Sequence, residues 1–294
     1  MDYAEGGNLW DVLDSSPHNG KVLESDLRWW TPQIVSAIHW CHSQGFVHRY
    51  AVSLPRGMLI THNPCSDIKP HNIVLTPTAH VLLIDFGSAA PLLPPNPDGT
   101  QFLPKRYCLI PCGTCDYISP EILKAHEEAL VALELEDADD FQSRPAEADE
   151  HGYGRETDWW SLGAMLYEMA YGFAPFFAKD IRQTYLRIMD HEVWFQYNLE
   201  NIQLTARARK ACVLTPRLQF LLNTANFLAC NYLFLALRLA PLTPFFRRLL
   251  TQPTRRLGRR HIQEITNHAL FEDVNWDILS TRNLYFLIFP CVNS

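Results

Sequence analysis

Two short clusters in the chain hold residue types suited to phosphoryl chemistry. The first is Asp67-Ile68-Lys69-Pro70-His71-Asn72, which leads into an apolar run. The second is Asp85-Phe86-Gly87, which follows the next apolar run. Moving a phosphoryl group needs a carboxylate to orient the attacking hydroxyl, a cation near the moving phosphate, and oxygen ligands for magnesium. Asp67, Lys69, Asn72 and Asp85 supply all of these if a hairpin brings them to one end. Either tripeptide alone is weak evidence, whereas the pair at this spacing is specific.

The elements that must position these groups can be read from patterning. Asn72–Leu75 and His80–Ile84 predict two short strands, with Thr76-Pro77-Thr78 as turn chemistry between them. Leu27, Trp30, Ile34, Ile38 and Cys41 recur at three- and four-residue steps, which predicts a helix over 26–45 stopped by Gly45. Pro32 should kink this helix or mark its first turn. Residues 157–170 predict a helix apolar on nearly every face, capped by Thr157 or Asp158 and central to the domain. A more amphipathic helix is expected over 180–190. The stretch 123–150 is acidic and reads as a solvated surface insert. A proline-rich loop runs from Pro91 to Pro104.

With these motifs in place, the chain resembles the eukaryotic protein kinases, in particular the Ser/Thr enzymes of the AGC group nearest the myotonic-dystrophy and Rho-kinase-like branch. Lys69 with Thr114 follows the Ser/Thr pattern rather than the Tyr pattern. Asp116–Leu123 and Tyr171–Ala178 carry the group resemblance. The resemblance implies a mainly α fold with a small β-hairpin sheet, the kinase C-terminal lobe cut at the hinge. It implies ATP and Mg2+ as cofactors and a protein with a Ser or Thr acceptor, basic in character, as substrate. Asp67 and Lys69 take the catalytic places, and Asn72 and Asp85 the metal-binding ones. Asp2, Ala4, Asn8 and Val74 lie where the family holds the nucleotide. Gly87, Thr114, Glu121, Asp158 and Arg256 fall at activation-segment and bracing positions, with Glu121 paired to Arg256. Glu168 matches one acidic substrate-binding position, while Asn8 and His71 depart from two others. His48-Arg49 resembles the start of the catalytic loop. Ile110 stands where many relatives carry an activating phosphothreonine.

The chain also departs from the family spacing. No glycine-rich loop, strand Lys or partner Glu precedes the hinge-like Met1–Leu9, so impaired activity is expected of the sequence as it stands. Residues 50–66 separate His48-Arg49 from Asp67, and residues 212–244 interrupt a helix expected to run into Phe246–Leu250. The domain reading is therefore a partial kinase domain over 1–279, with inserts at about 50–66, 124–154 and 212–244, and a divergent tail over 280–294. An alternative reading is a catalytically dead, kinase-like binding module.

Bulk properties narrow the setting. The 294 residues carry a formal net charge of -7, which gives no reason to expect nucleic acid as the main partner. Eight scattered Cys without a secretion signal point to a reducing cytoplasmic or nuclear compartment. Residues 219–237 carry no charge and approach membrane-span length. Four Gln and Asn side chains within that stretch argue against a span. Cys112 and Cys115 have metal-like spacing but no second pair at finger spacing.

Overall fold

The computed structural model describes residues 6–18, 20–48, 68–87, 89–108, 114–135, 151–195 and 242–281. Asp2, Ala4, Arg49, Asp67 and Ile110 lie outside them, as do the uncharged stretch 219–237 and the tail beyond 281. The architecture is mainly helical with small antiparallel sheets, as the fold reading implied.

The longest helix described, α2 (Glu24–Ser43), begins earlier than its apolar period suggested and ends before Gly45, whose φ is 82°. The early start places Pro32 in the helix interior rather than in its first turn. The predicted hairpin forms from β2 (Ile73–Leu75) and β3 (Val81–Leu83), with Ile73 opposite Leu83 and Leu75 opposite Val81. Asn72 belongs to a 3₁₀ turn over Pro70–Asn72 rather than to the strand. Helix α2 fixes the hairpin through polar groups. The indoles of Trp29 and Trp30 each donate to the Ala79 carbonyl at 3.1 Å. The Gln33 side-chain oxygen accepts from Val81 N at 3.2 Å. Trp30 is buried, whereas Trp29 is 45% exposed and packs only in part.

Two further strand pairs had no sequence signal. β1 (Phe46–Val47) pairs with β4 (Ala90–Pro91), and β5 (Phe102–Pro104) pairs with β6 (His151–Gly154). Strands of two to four residues are too short to show an alternating pattern. Helix α3 (Pro120–Leu135) runs without a break into the acidic stretch. Lys124 and Glu128 form an exposed i,i+4 pair on it.

Helix α4 (Glu156–Tyr171) sits at the centre, as its all-round apolarity predicted. Trp159 and Trp160 are 1% and 0% exposed. Its start differs from the expected cap. Arg155 occupies the N-cap without a side-chain capping bond to the helix, and Asp158 lies inside the first turn with its carboxylate turned toward other elements. Helix α6 (Leu242–Leu249) crosses α4 at Gly163. A Cβ there would stand 2.8 Å from Leu249 Cβ, so only glycine permits this approach. Helix α5 (Ile181–Met189) begins at Asp180, which accepts from Arg182 N. The remaining elements are α1 (Leu9–Asp14), α7 (Gln263–Thr266) and α8 (Trp276–Thr281).

Candidate active site

The site is built at the end of the β2–β3 hairpin. Ile84 N donates to Asn72 O at 3.0 Å, which fixes the residue before Asp85 against the turn that carries Asn72. The 3₁₀ turn begins after Lys69, because Pro70 supplies the φ its first position needs and gives up a donor that would go unused there. Asn72 is buried, Lys69 is half-buried and Asp85 is exposed. Asp85 adopts a φ of 65°, a left-handed conformation uncommon outside glycine and sustained only where neighbours hold it. One neighbour is Gly87, where a Cβ would lie 3.3 Å from Asp85 Oδ1.

Lys69 Nζ donates to Thr114 Oγ1 at 3.2 Å. This bond joins the hairpin-end cluster to the segment before α3, across 45 residues of chain. On the other side, Asn8 forms an isolated antiparallel bridge with Val74. Gly6 N and Leu75 N extend that contact by donating to Leu75 O and Gly7 O at 3.1 and 2.8 Å. The Asn8 side chain is committed to capping α1, accepting from Asp11 N at 3.0 Å while Asp11 Oδ2 accepts from Asn8 N.

Beneath these groups lies a buried brace. Asp158 Oδ2 accepts from His48 N at 2.9 Å and lies 2.8 Å from His42 Nε2. Burial alone would raise the Asp158 pKa, but the His42 hydrogen bond and the charges of His42 and His48 outweigh it and hold it below the ordinary carboxylate value. His48 Nε2 reaches Ile84 O at 3.0 Å, and its ring meets Phe86 edge-on with centroids 4.8 Å apart. The chain of contacts therefore runs from α4 through His48 to the residues on either side of Asp85. The structure shows His42 buried and paired with Asp158.

The second expected brace is also formed. Arg256 Nη1 and Nη2 reach the two carboxylate oxygens of Glu121, the latter at 3.0 Å. Arg256 also donates to Glu156 O at 2.9 Å and to Thr251 O at 2.9 Å, with its guanidinium 5.0 Å from the Trp160 ring centroid. Burial would raise the Glu121 pKa, but Arg256 draws it below the ordinary value. Sequence gave no sign of the neighbouring Glu156–Arg259 pair at 3.0 Å. Burial, with help from Glu121, raises the Glu156 pKa.

Glu168 accepts a short hydrogen bond from the Tyr117 hydroxyl. Burial raises its pKa, with the Asp116 charge adding to the effect and the Tyr117 bond opposing it. A carboxylate whose pKa rises on folding is protonated more readily in the native state. The stability it contributes is full at low pH and falls as pH rises from the ordinary 4.5 through the folded value. Glu168→Gln, which keeps an acceptor for Tyr117, should therefore flatten this dependence. Relative to wild type, its melting temperature is expected to gain between pH 4 and pH 7 by calorimetry. A constant difference across that range would contradict the assignment.

His71, expected at a substrate-facing position, stacks on Trp10 with centroids 4.7 Å apart and planes 15° apart. Burial and the nearby Lys69 charge lower its pKa, so the ring is neutral at physiological pH. The sequence offered no sign of this pair, since the two residues meet only through the hairpin fold.

Hard oxygen donors from Asn72 and Asp85 suit Mg2+, which is commonly held by one or two protein groups with the rest of its shell from water and phosphate. Among the described residues no cluster of three or more His, Cys, Asp or Glu could hold a metal by itself.

Comparison with known proteins agrees with this geometry. The protein kinase domain profile matches residues 56–271. The chain is 31% identical over 294 residues to serine/threonine-protein kinase MRCK beta of Homo sapiens, covering 100% of this chain and 12% of that protein. It is 30% identical to MRCK alpha of Mus musculus over the same span, with 12% of that protein covered. It is 29% identical over 287 residues to MRCK gamma of Mus musculus, covering 98% of this chain and 13% of that protein. The chain thus spans about an eighth of the length of these relatives. From the hairpin-end cluster, its two buried braces and these matches, the chain belongs to the protein kinase family, in the AGC-like, Rho-kinase-related branch.

Proposed function

We propose that this domain transfers the γ-phosphate of ATP to Ser or Thr of a protein. The observation that carries this reading is the Lys69–Thr114 bond at 3.2 Å, which sets a cation and a hydroxyl beside the hairpin end bearing Asn72 and Asp85. In this reading Asp67 orients the substrate hydroxyl and accepts its proton. Lys69 offsets charge on the phosphate in flight, and Asn72 and Asp85 hold Mg2+. Bound Mg2+ would neutralise phosphate charge. The chain's own residues supply position, through the Asp158–His48–Ile84 contacts and the capped start of α1.

The nucleotide reading of Asn8 and Val74 is supported by the bridge that sets one against the other, while Asp2 and Ala4, which belong to the same reading, lie outside the described residues. For the protein substrate, the half-buried acids Asp116 and Glu168 favour a basic residue. The neutral Trp10–His71 stack offers no charge at the neighbouring position, so selection for a basic residue there is weak.

The test is transfer of labelled phosphate from ATP with Mg2+ to Ser- and Thr-containing peptides by the protein in its full natural length. Lys69→Ala and Asp85→Asn are each expected to slow transfer by about 10²–10³-fold, the usual cost of removing one group that stabilises developing charge. Wild-type transfer at the level of both variants would overturn the enzymatic reading in favour of a binding module.

A further inference from the structure

One feature of the fold extends beyond the site above. Six Arg fall between positions 247 and 260 with no Asp or Glu among them, in a chain whose net charge is -7. The end of α6 and the loop before α7 fold these residues around a recess of about 150 Å3, lined by Arg248, Thr254, Arg255, Arg259, Arg260 and Glu264, with Arg256 at its base.

The cations there are not equivalent. Arg256 and Arg259 are engaged by Glu121 and Glu156. Arg260 makes only a long, exposed contact with Asp98 at 3.9 Å, which contributes little. Arg248 and Arg255 are exposed and form no ion pair with any described residue. Glu264 turns a carboxylate oxygen to Gly258 N at 2.9 Å, so part of its charge is spent on the backbone.

The walls are held in place independently of any ligand. Leu257 N donates to Arg248 O at 3.2 Å, pinning the loop to the end of α6. Gly258, at φ 80°, accepts at its carbonyl from the Trp159 indole N–H at 3.1 Å, and a Cβ there would collide with that ring. A recess pinned to a buried tryptophan needs little ordering on binding, which favours affinity.

We propose that this recess binds a phosphate monoester dianion of a small soluble molecule. Guanidinium groups match phosphate oxygens in paired, charge-assisted hydrogen bonds. A phosphate here would relieve the mutual repulsion of Arg248, Arg255 and Arg260, and the Thr254 hydroxyl adds a neutral donor. The volume equals about five waters at ~30 Å3 each, enough for a phosphate group with a small substituent. Arg256 lines the recess and also pairs with Glu121, so the bound anion would sit beside that pair.

The experiment is calorimetric titration of the protein with inorganic phosphate, against chloride at matched ionic strength. Saturable binding is expected for phosphate alone. Arg248→Ala/Arg255→Ala should weaken it by about a hundredfold, the combined worth of two charge-assisted bonds. The longer-chain pair Arg248→Gln/Arg255→Gln carries the same expectation should the alanine protein fail to fold. Phosphatidylcholine vesicles containing phosphatidylinositol 4-phosphate form a second arm. Binding to them that exceeds binding of inorganic phosphate would replace the soluble source with a lipid headgroup. Absence of saturable phosphate binding, or weakening of less than about tenfold in the double variants, overturns the proposal. The assay uses no ATP, so its outcome is independent of phosphoryl transfer.

Discussion

Arg256→Ala is expected to lower the unfolding free energy by about 3–5 kcal/mol, the usual cost of removing one partner from a buried ion pair. The Arg256 side chain is 0% exposed and that of Glu121 11%, so water cannot replace what is lost. Removal leaves the Glu121 carboxylate without its cation and two backbone carbonyls, of Glu156 and Thr251, without a guanidinium donor. It also opens a void against Trp160. Arg256→Lys should recover only part of the loss, because an ammonium cannot reproduce the two-pronged contact with Glu121.

The pH response distinguishes this account from simple loss of packing. In wild type the Glu121 pKa is depressed, so its contribution is present above the ordinary 4.5 and disappears as pH falls through the folded value. Without Arg256 the largest influences opposing burial are gone, leaving only the Glu121 backbone and Ser119 hydrogen bonds against it, so the Glu121 pKa rises and the variant should be less impaired in acid than at neutrality. Urea denaturation at pH 4 and pH 7 reads both effects. A loss below about 1 kcal/mol at neutral pH would remove the ion pair as the tie between α3 and the loop before α7.

Asp158→Ala should be comparably damaging to stability, by about 3–5 kcal/mol, and should also reach the active site. Its carboxylate, 0% exposed, serves His42 Nε2 and the backbone of His48 at once. Both partners are themselves buried and would lose this bond. His48 in turn positions Ile84, the residue before Asp85. A displacement of about 1 Å passed along this chain can cost on the order of a hundredfold in rate. Asp158→Asn keeps the shape and one acceptor, so it should fall between wild type and alanine. Because the Asp158 pKa is depressed, the stability it adds is complete above the ordinary 3.8 and is lost as pH falls through the folded value. The gap between wild type and Asp158→Asn should therefore close below about pH 3.8. A gap that persists there would mean that the carboxylate charge is not what holds His42 and His48.

The sequence by itself determined the parts whose information is local. The hairpin, the central apolar helix and the motifs holding Lys69, Asn72 and Asp85 all declare themselves within a few residues, since strand alternation, helical period and turn chemistry act at short range. Glu121 and Arg256 could be paired only through resemblance, because nothing local connects positions 135 residues apart. What tertiary structure alone decided was the set of contacts between distant segments. His42 against Asp158, Lys69 against Thr114, Trp10 over His71 and the arginine-lined recess depend on which elements become neighbours. The two-residue strand pair β1–β4 and the interior place of Pro32 were hidden for the same reason. Packing fixes them, and packing overrides weak local preference once a buried core is formed.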